Sequence, residues 1–190
     1  MVTFYLRAFV YTLRYKLFIY VLISSVQIAL GDINASKYYA DHTREFLGYL
    51  GHKNPSAVPI RKISRDNARY KLSGYTNGIA IYLNEDIFAR KAEGLNLYVC
   101  AHEAAHFVLR HSYQAGNRNC LEIEEEADVT AARMLCRNGY RWVVEQQVSM
   151  LKKLINAGHG DWSDNKHPTN QQEYVYLNKV LGTSYERNPV

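Results

Sequence analysis

Leu97-Tyr-Val-Cys-Ala-His-Glu-Ala-Ala-His-Phe-Val-Leu109 is the stretch from which the rest of the chain is read. Neither Pro nor Gly interrupts it, and its Ala and Leu residues favour helix. On a helix, positions i and i+4 share one face. His102 and His106 therefore point two imidazoles the same way and can grip one metal ion. Glu103 follows the first imidazole directly, so it flanks the metal and can take a proton from an activated water. Two His ligands and a carboxylate base are what a zinc hydrolase needs.

A hydrolytic zinc has three protein ligands and leaves the fourth position to water. Downstream, Cys120-Leu-Glu-Ile-Glu-Glu-Glu-Ala-Asp-Val-Thr-Ala-Ala-Arg-Met-Leu-Cys136 predicts a second helix with acidic residues in its first turns, where the macrodipole favours them. Glu122, Glu124, Glu125 and Glu126 compete for the third ligand. Glu126 shares a face with Thr130, Arg133 and Arg137, which reads as solvated. Glu124 shares a face with Asp128, Ala131 and Leu135, which reads as half buried. Asp128 lies one turn on, placed to hydrogen-bond a ligating imidazole. Glu125, which leads onto Val129, Ala132 and Cys136, is the second choice. The plainer alternative for the run is a solvated acidic helix start.

Ala101-His-Glu-Ala-Ala-His-Phe-Val-Leu-Arg-His111, followed by Glu124-Glu-Glu-Ala-Asp128, resembles the zinc peptidases of the CAAX prenyl protease and HtpX heat-shock protease family, gluzincins that pair H-E-x-x-H with E-x-x-x-D. The resemblance spans about residues 60 to 175 and is strongest over 97–135. It implies Glu124 as third ligand and one zinc per chain. Asn67-Ala68 and Gly78-Ile-Ala-Ile-Tyr-Leu83 look like the family's Asn-Ala segment and the strand before its active-site helix. His167-Pro168 looks like its late His-Pro motif, which implies that His167 donates a hydrogen bond to the oxyanion. The family usually carries Arg six residues after that His; here the position is Glu173, which puts the motif's charge partner in doubt. His111, nine residues from His102, reads as structural.

Residues 1–31 carry Arg7, Arg14 and Lys16 and no acidic residue. They include an uncharged run of 14 residues, Leu17 to Leu30, against the roughly 20 that span a bilayer. A basic flank, a short apolar run and the small residues Ala29 and Gly31 suit a cleaved secretory signal peptide. An uncleaved membrane anchor is the alternative. Removing these three basic residues takes the net charge from +5 to +2, so no nucleic-acid partner follows from the basic balance. Membrane contact is expected only through residues 1–31.

The remaining residues, 32–190, suffice for one domain with a real core. An amphipathic helix is expected up to about Gly51, then a loop over 54–59 and a short strand over Val58–Ile63. Asn77-Gly78 is a strong turn signal between two β-like runs, the second being Ile79–Leu83. That strand has two readings, an edge that pairs with an extended substrate or an ordinary core strand, and sequence does not reveal which strand is the edge. A short helix from Asn84 should stop at Gly94, and the active-site helix should run from about Asn96 to Ser112. Further helices are expected over 141–155 and 170–182, joined by a polar loop over 158–168. Cys100, Cys120 and Cys136 show no C-x-x-C spacing, so a thiolate zinc site is not expected. Export would permit one disulfide.

The expected fold class is therefore α+β: a mostly helical zincin-like domain with a short sheet beside the active-site helix. The expected activity is zinc-dependent endopeptidase action on exported or misfolded proteins, periplasmic or secreted, with protein or peptide as partner. Two rivals stand: an intracellular gluzincin that cleaves repressors, and a non-catalytic metal-binding or chaperone module.

Overall fold

The computed structural model describes residues 36–63, 73–114, 116–163 and 167–185. The expected leader, 1–31, and the Asn67-Ala68 segment lie outside the described residues.

Helix α1 (Lys37–Tyr49) ends where Gly51 takes φ +84°, a conformation that Gly adopts without a Cβ penalty. A 3₁₀ turn over Pro55–Ala57 leads into β1 (Ile60–Lys62). Strands β2 (Gly74–Thr76) and β3 (Ile81–Leu83) form a hairpin across Asn77-Gly78. Gly78 has φ +81°, and Asn77 Oδ1 accepts the backbone N–H groups of Ile79 (3.0 Å) and Ala80 (2.9 Å), so the side chain closes the turn. The sheet order is β1-β3-β2, with β1 parallel and β2 antiparallel to β3. Strand β3 is thus central, and its edges are already paired. Of the two readings of Ile79–Leu83, the core strand holds and the substrate-pairing edge does not; β2, beside it, is an edge among the described residues.

Asn84 caps the single-turn α2 (Glu85–Phe88), its Oδ1 accepting from the Ile87 N–H. The long α3 (Glu93–Val108) follows. Gly94 lies inside its first turn and does not stop the preceding helix as the sequence predicts. A Cβ there would come 2.1 Å from Gln146 Oε1 and 2.9 Å from the Trp142 ring, so this glycine serves close packing. Helix α3 also ends earlier than expected. Leu109 caps it, Arg110 turns the chain at φ +59°, and α4 (His111–Gln114) starts afresh. Asn119 caps α5 (Cys120–Arg137) through Leu121 N–H. Helix α6 (Arg141–Leu154) runs into a π-helical turn over Ile155–His159 broken at Gly158, and α7 (Asn170–Tyr185) closes the fold.

Helix α3 packs on α1, α5 and α6, while α7 packs on α5 and α6. The core joins Phe46, Leu47, Leu97, Leu135, Val143 and Leu177, all fully buried. Burying such a side chain contributes roughly 1.5–3 kcal/mol. Ala101, Ala104 and Ala105 on α3 and Ala127, Ala131 and Ala132 on α5 have no exposed surface. Small residues on both helices let their backbones approach, which draws the acidic start of α5 onto the histidines of α3. No helix of the described residues is long and apolar enough to cross a membrane. No disulfide joins the three cysteines: Cys100 is buried, Cys136 half-buried and Cys120 exposed.

Candidate metal centre

His102 and His106, one turn apart on α3, bring their Nε2 atoms to 2.8 Å of each other. Glu124, in the second turn of α5, sets its Oε2 at 3.3 Å from His102 Nε2 and 3.4 Å from His106 Nε2. One ligand atom from each residue thus converges on a single point, as a metal ion requires. Glu125 is exposed and does not enter this group, which separates the two candidates that sequence spacing left open. Glu124 Oε2 is buried without a hydrogen-bond partner in a site rich in nitrogen lone pairs, a deficit that a cation would satisfy. Two imidazoles and one carboxylate suit a divalent transition-metal ion.

Asp128 sits one turn beyond Glu124. Its Oδ1 meets His102 Nδ1 at 2.7 Å and accepts the Tyr98 hydroxyl at 3.0 Å, while Oδ2 accepts the Tyr176 hydroxyl. Three partners from two helices, α3 and α7, thus fix one carboxylate. Burial pulls the His102 imidazole down, but Asp128 overrides it and lifts the group well above its ordinary 6.5. Burial works against ionisation of Glu124 too, yet the imidazoles of His102 and His106 beside it hold its carboxyl well below the usual range. Burial and the neighbouring His102 lower His106.

Glu103 is 6% exposed. Burial raises its carboxyl from 4.5 to about 7, with His102 opposing and Glu124 adding to the shift. A carboxyl near 7 is matched to proton transfer at neutral pH. The side chain packs on β2. A Cβ on Gly74 would lie 2.9 Å from Glu103 Cγ and 3.1 Å from the Tyr82 carbonyl oxygen, so glycine is required for this approach. Ser73 and Asn77 of the hairpin pair with Asn84 and Ala80 across it. Gly74 and Thr76 therefore turn their backbone N–H and C=O groups toward the outer side of β2.

His167 enters from the loop before α7. Its Nε2 stands 3.6 Å from Glu124 Oε2, and the side chain is 42% exposed. The Ser163 hydroxyl donates to the His167 carbonyl at 2.6 Å. Glu173, where the family pattern has Arg, accepts the Gln147 amide at 2.7 Å. Burial and the Asp128 carboxylate push it up to about 8. The position thus supplies a carboxyl group and not a cation.

Tyr98 and Tyr176 were not singled out by sequence. Tyr98 carries a signal, since it precedes His102 by one turn on the same face; Tyr176 comes from a distant helix and carries none. Comparison with protein-family profiles, curated proteins and solved structures finds no match to this chain.

Proposed function

We propose that the chain is an exported zinc endopeptidase. The observation that carries the reading is the juxtaposition of a three-ligand group with a buried carboxyl raised to about 7 beside an edge strand. His102, His106 and Glu124 would hold the metal. Zinc bound by such a set lowers the pKa of a water and polarises a carbonyl. Glu103 takes the proton of the attacking water and passes it to the leaving amine. Gly74 and Thr76 hold the substrate backbone as an added antiparallel strand, which sets the scissile bond over Glu103. His167 donates to the developing oxyanion. Asp128 orients His102.

The basic leader and short apolar run support export, and the resemblance over residues 97–135 supports peptidase chemistry. Glu103 argues against a purely structural metal module, because a closed structural site has no use for a base. The test is zinc analysis with digestion of a denatured-protein library by wild type, Glu103→Gln and chelator-treated protein. One zinc per chain is expected, with Glu103→Gln retaining zinc and losing roughly 10²–10⁴-fold in turnover. Equal cleavage by Glu103→Gln removes it as the base. Zinc-loaded wild type that cleaves nothing removes the enzyme reading.

A further inference from the structure

The two ligating imidazoles are backed differently. His102 rests on a carboxylate through Nδ1, the usual arrangement. His106 turns its Nδ1 to another imidazole, Nδ1 of His111, at 2.8 Å. His111 is 3% exposed. Its remaining nitrogen, Nε2, lies 3.4 Å from Glu126 Oε2, and Glu126 is bound in turn by Arg118 at 2.7 Å. The contact depends on the chain break after α3. On an unbroken helix, five residues rotate a side chain about 140° away from the starting face. Arg110 at φ +59° ends the helix and folds His111 back onto His106.

We infer that His111 is a positioning residue that fixes the tautomer and ring orientation of His106, an inference that rests on the zinc reading above. A neutral imidazole has one N–H and one lone pair. When His106 gives its Nε2 lone pair to a metal, its proton must sit on Nδ1. Nδ1 of His111 must then be the acceptor, so its proton sits on Nε2, facing Glu126. Glu126 rewards that placement with negative charge, and Arg118 keeps Glu126 in place. His106 then donates to His111, and His111 faces its proton to the Glu126 carboxylate, which Arg118 meets from the other side; the arrangement leaves the Nε2 lone pair of His106 for the ligand point. Asn at position 111 can keep an acceptor oxygen near the Nδ1 position; Ala cannot.

The test combines zinc affinity, by competition with a chromophoric chelator, and ¹⁵N NMR of the imidazoles in the full zinc-loaded chain. His111→Ala should weaken zinc binding about 10–100-fold, the range for partners of ligating histidines. His111→Asn should recover most of that loss. The spectra should show His106 protonated at Nδ1 and His111 at Nε2. A His111 protonated at Nδ1 overturns the inference, and so does wild-type affinity in His111→Ala. His111→Asn as weak as His111→Ala also overturns it, because the acceptor is then not what matters. If His111→Ala does not fold, the Asn variant and the wild-type tautomers decide. A wild type that binds no zinc, no better than His102→Ala, removes the metal reading and this inference together; a zinc-binding wild type with an indifferent His111 removes this inference alone.

Discussion

Replacing Glu103 by Gln should make the metal-free protein more stable at pH 8 while leaving it nearly unchanged at pH 4. Burial raises the Glu103 carboxyl from 4.5 to about 7. A raised pKa means that the folded state holds the proton more tightly than the unfolded chain. Its contribution to stability is complete below about 4.5 and is lost as pH rises through about 7. A shift of about 2.5 units at 1.36 kcal/mol per unit amounts to about 3 kcal/mol. Gln resembles the neutral acid in size and hydrogen bonding but cannot ionise. The stability gap between variant and wild type should therefore open across this window and level off near 3 kcal/mol.

Urea unfolding in chelator at pH 4, 5, 6, 7 and 8, on both proteins, measures the gap directly. His102, Glu124 and Glu173 titrate in both, so their contributions largely cancel in the difference. Added zinc should narrow the gap at pH 8, because a nearby cation favours the Glu103 carboxylate. Parallel pH curves in chelator would refute the reasoning, since they would mean that the fold does not resist ionisation of Glu103.

Gly74→Ala should push the Glu103 side chain aside; turnover should fall with zinc content unchanged, as read by parallel metal analysis and kinetics. Asp128→Ala leaves His102 Nδ1 and the Tyr98 and Tyr176 hydroxyls without their shared acceptor, and zinc affinity should fall about 10–100-fold in a chelator competition. Glu124→Ala should abolish stoichiometric zinc binding while Glu125→Ala retains it; the reverse result transfers the ligand role to Glu125. Ala131→Leu should cost about 1–3 kcal/mol in denaturant unfolding, because it overpacks the fully buried face of α5.

The elements legible in the sequence are those that local pattern controls. The hairpin at Asn77-Gly78 and the helices over 120–136 and 141–155 follow from turn chemistry and apolar spacing. Gly94 and Arg110 mislead for one reason: a residue's local preference is not its tertiary duty. Glycine reads as a stop, yet at 94 the neighbouring Gln146 and Trp142 require it inside a helix. Arginine reads as helix, yet at 110 it takes a left-handed conformation. Sheet order was not legible either. Nothing in Ile81-Tyr-Leu83 says that strands will pair on both of its sides, so sequence leaves open which strand is the edge; among the described residues β3 is central and β2 an edge.

The site divides along the same line. His102, Glu103 and His106 are readable because their relation is set by one helix turn. Glu124 needs a second helix to arrive at a particular depth and angle, and sequence narrowed it only to a choice with Glu125. The signal that could have closed that choice is the run of alanines in both helices. Ala101, Ala104 and Ala105 on one, with Ala127, Ala131 and Ala132 on the other, leave room only for backbone against backbone. Glu124, three residues before Ala127 and seven before Ala131, then lies on the side that closes on α3, while Glu125 turns to solvent. Gly74 and Tyr176 have no such trace. Each is placed by the packing of an element far away in the chain, so the surroundings of the candidate base and of Asp128 became visible only once the helices and the sheet were assembled.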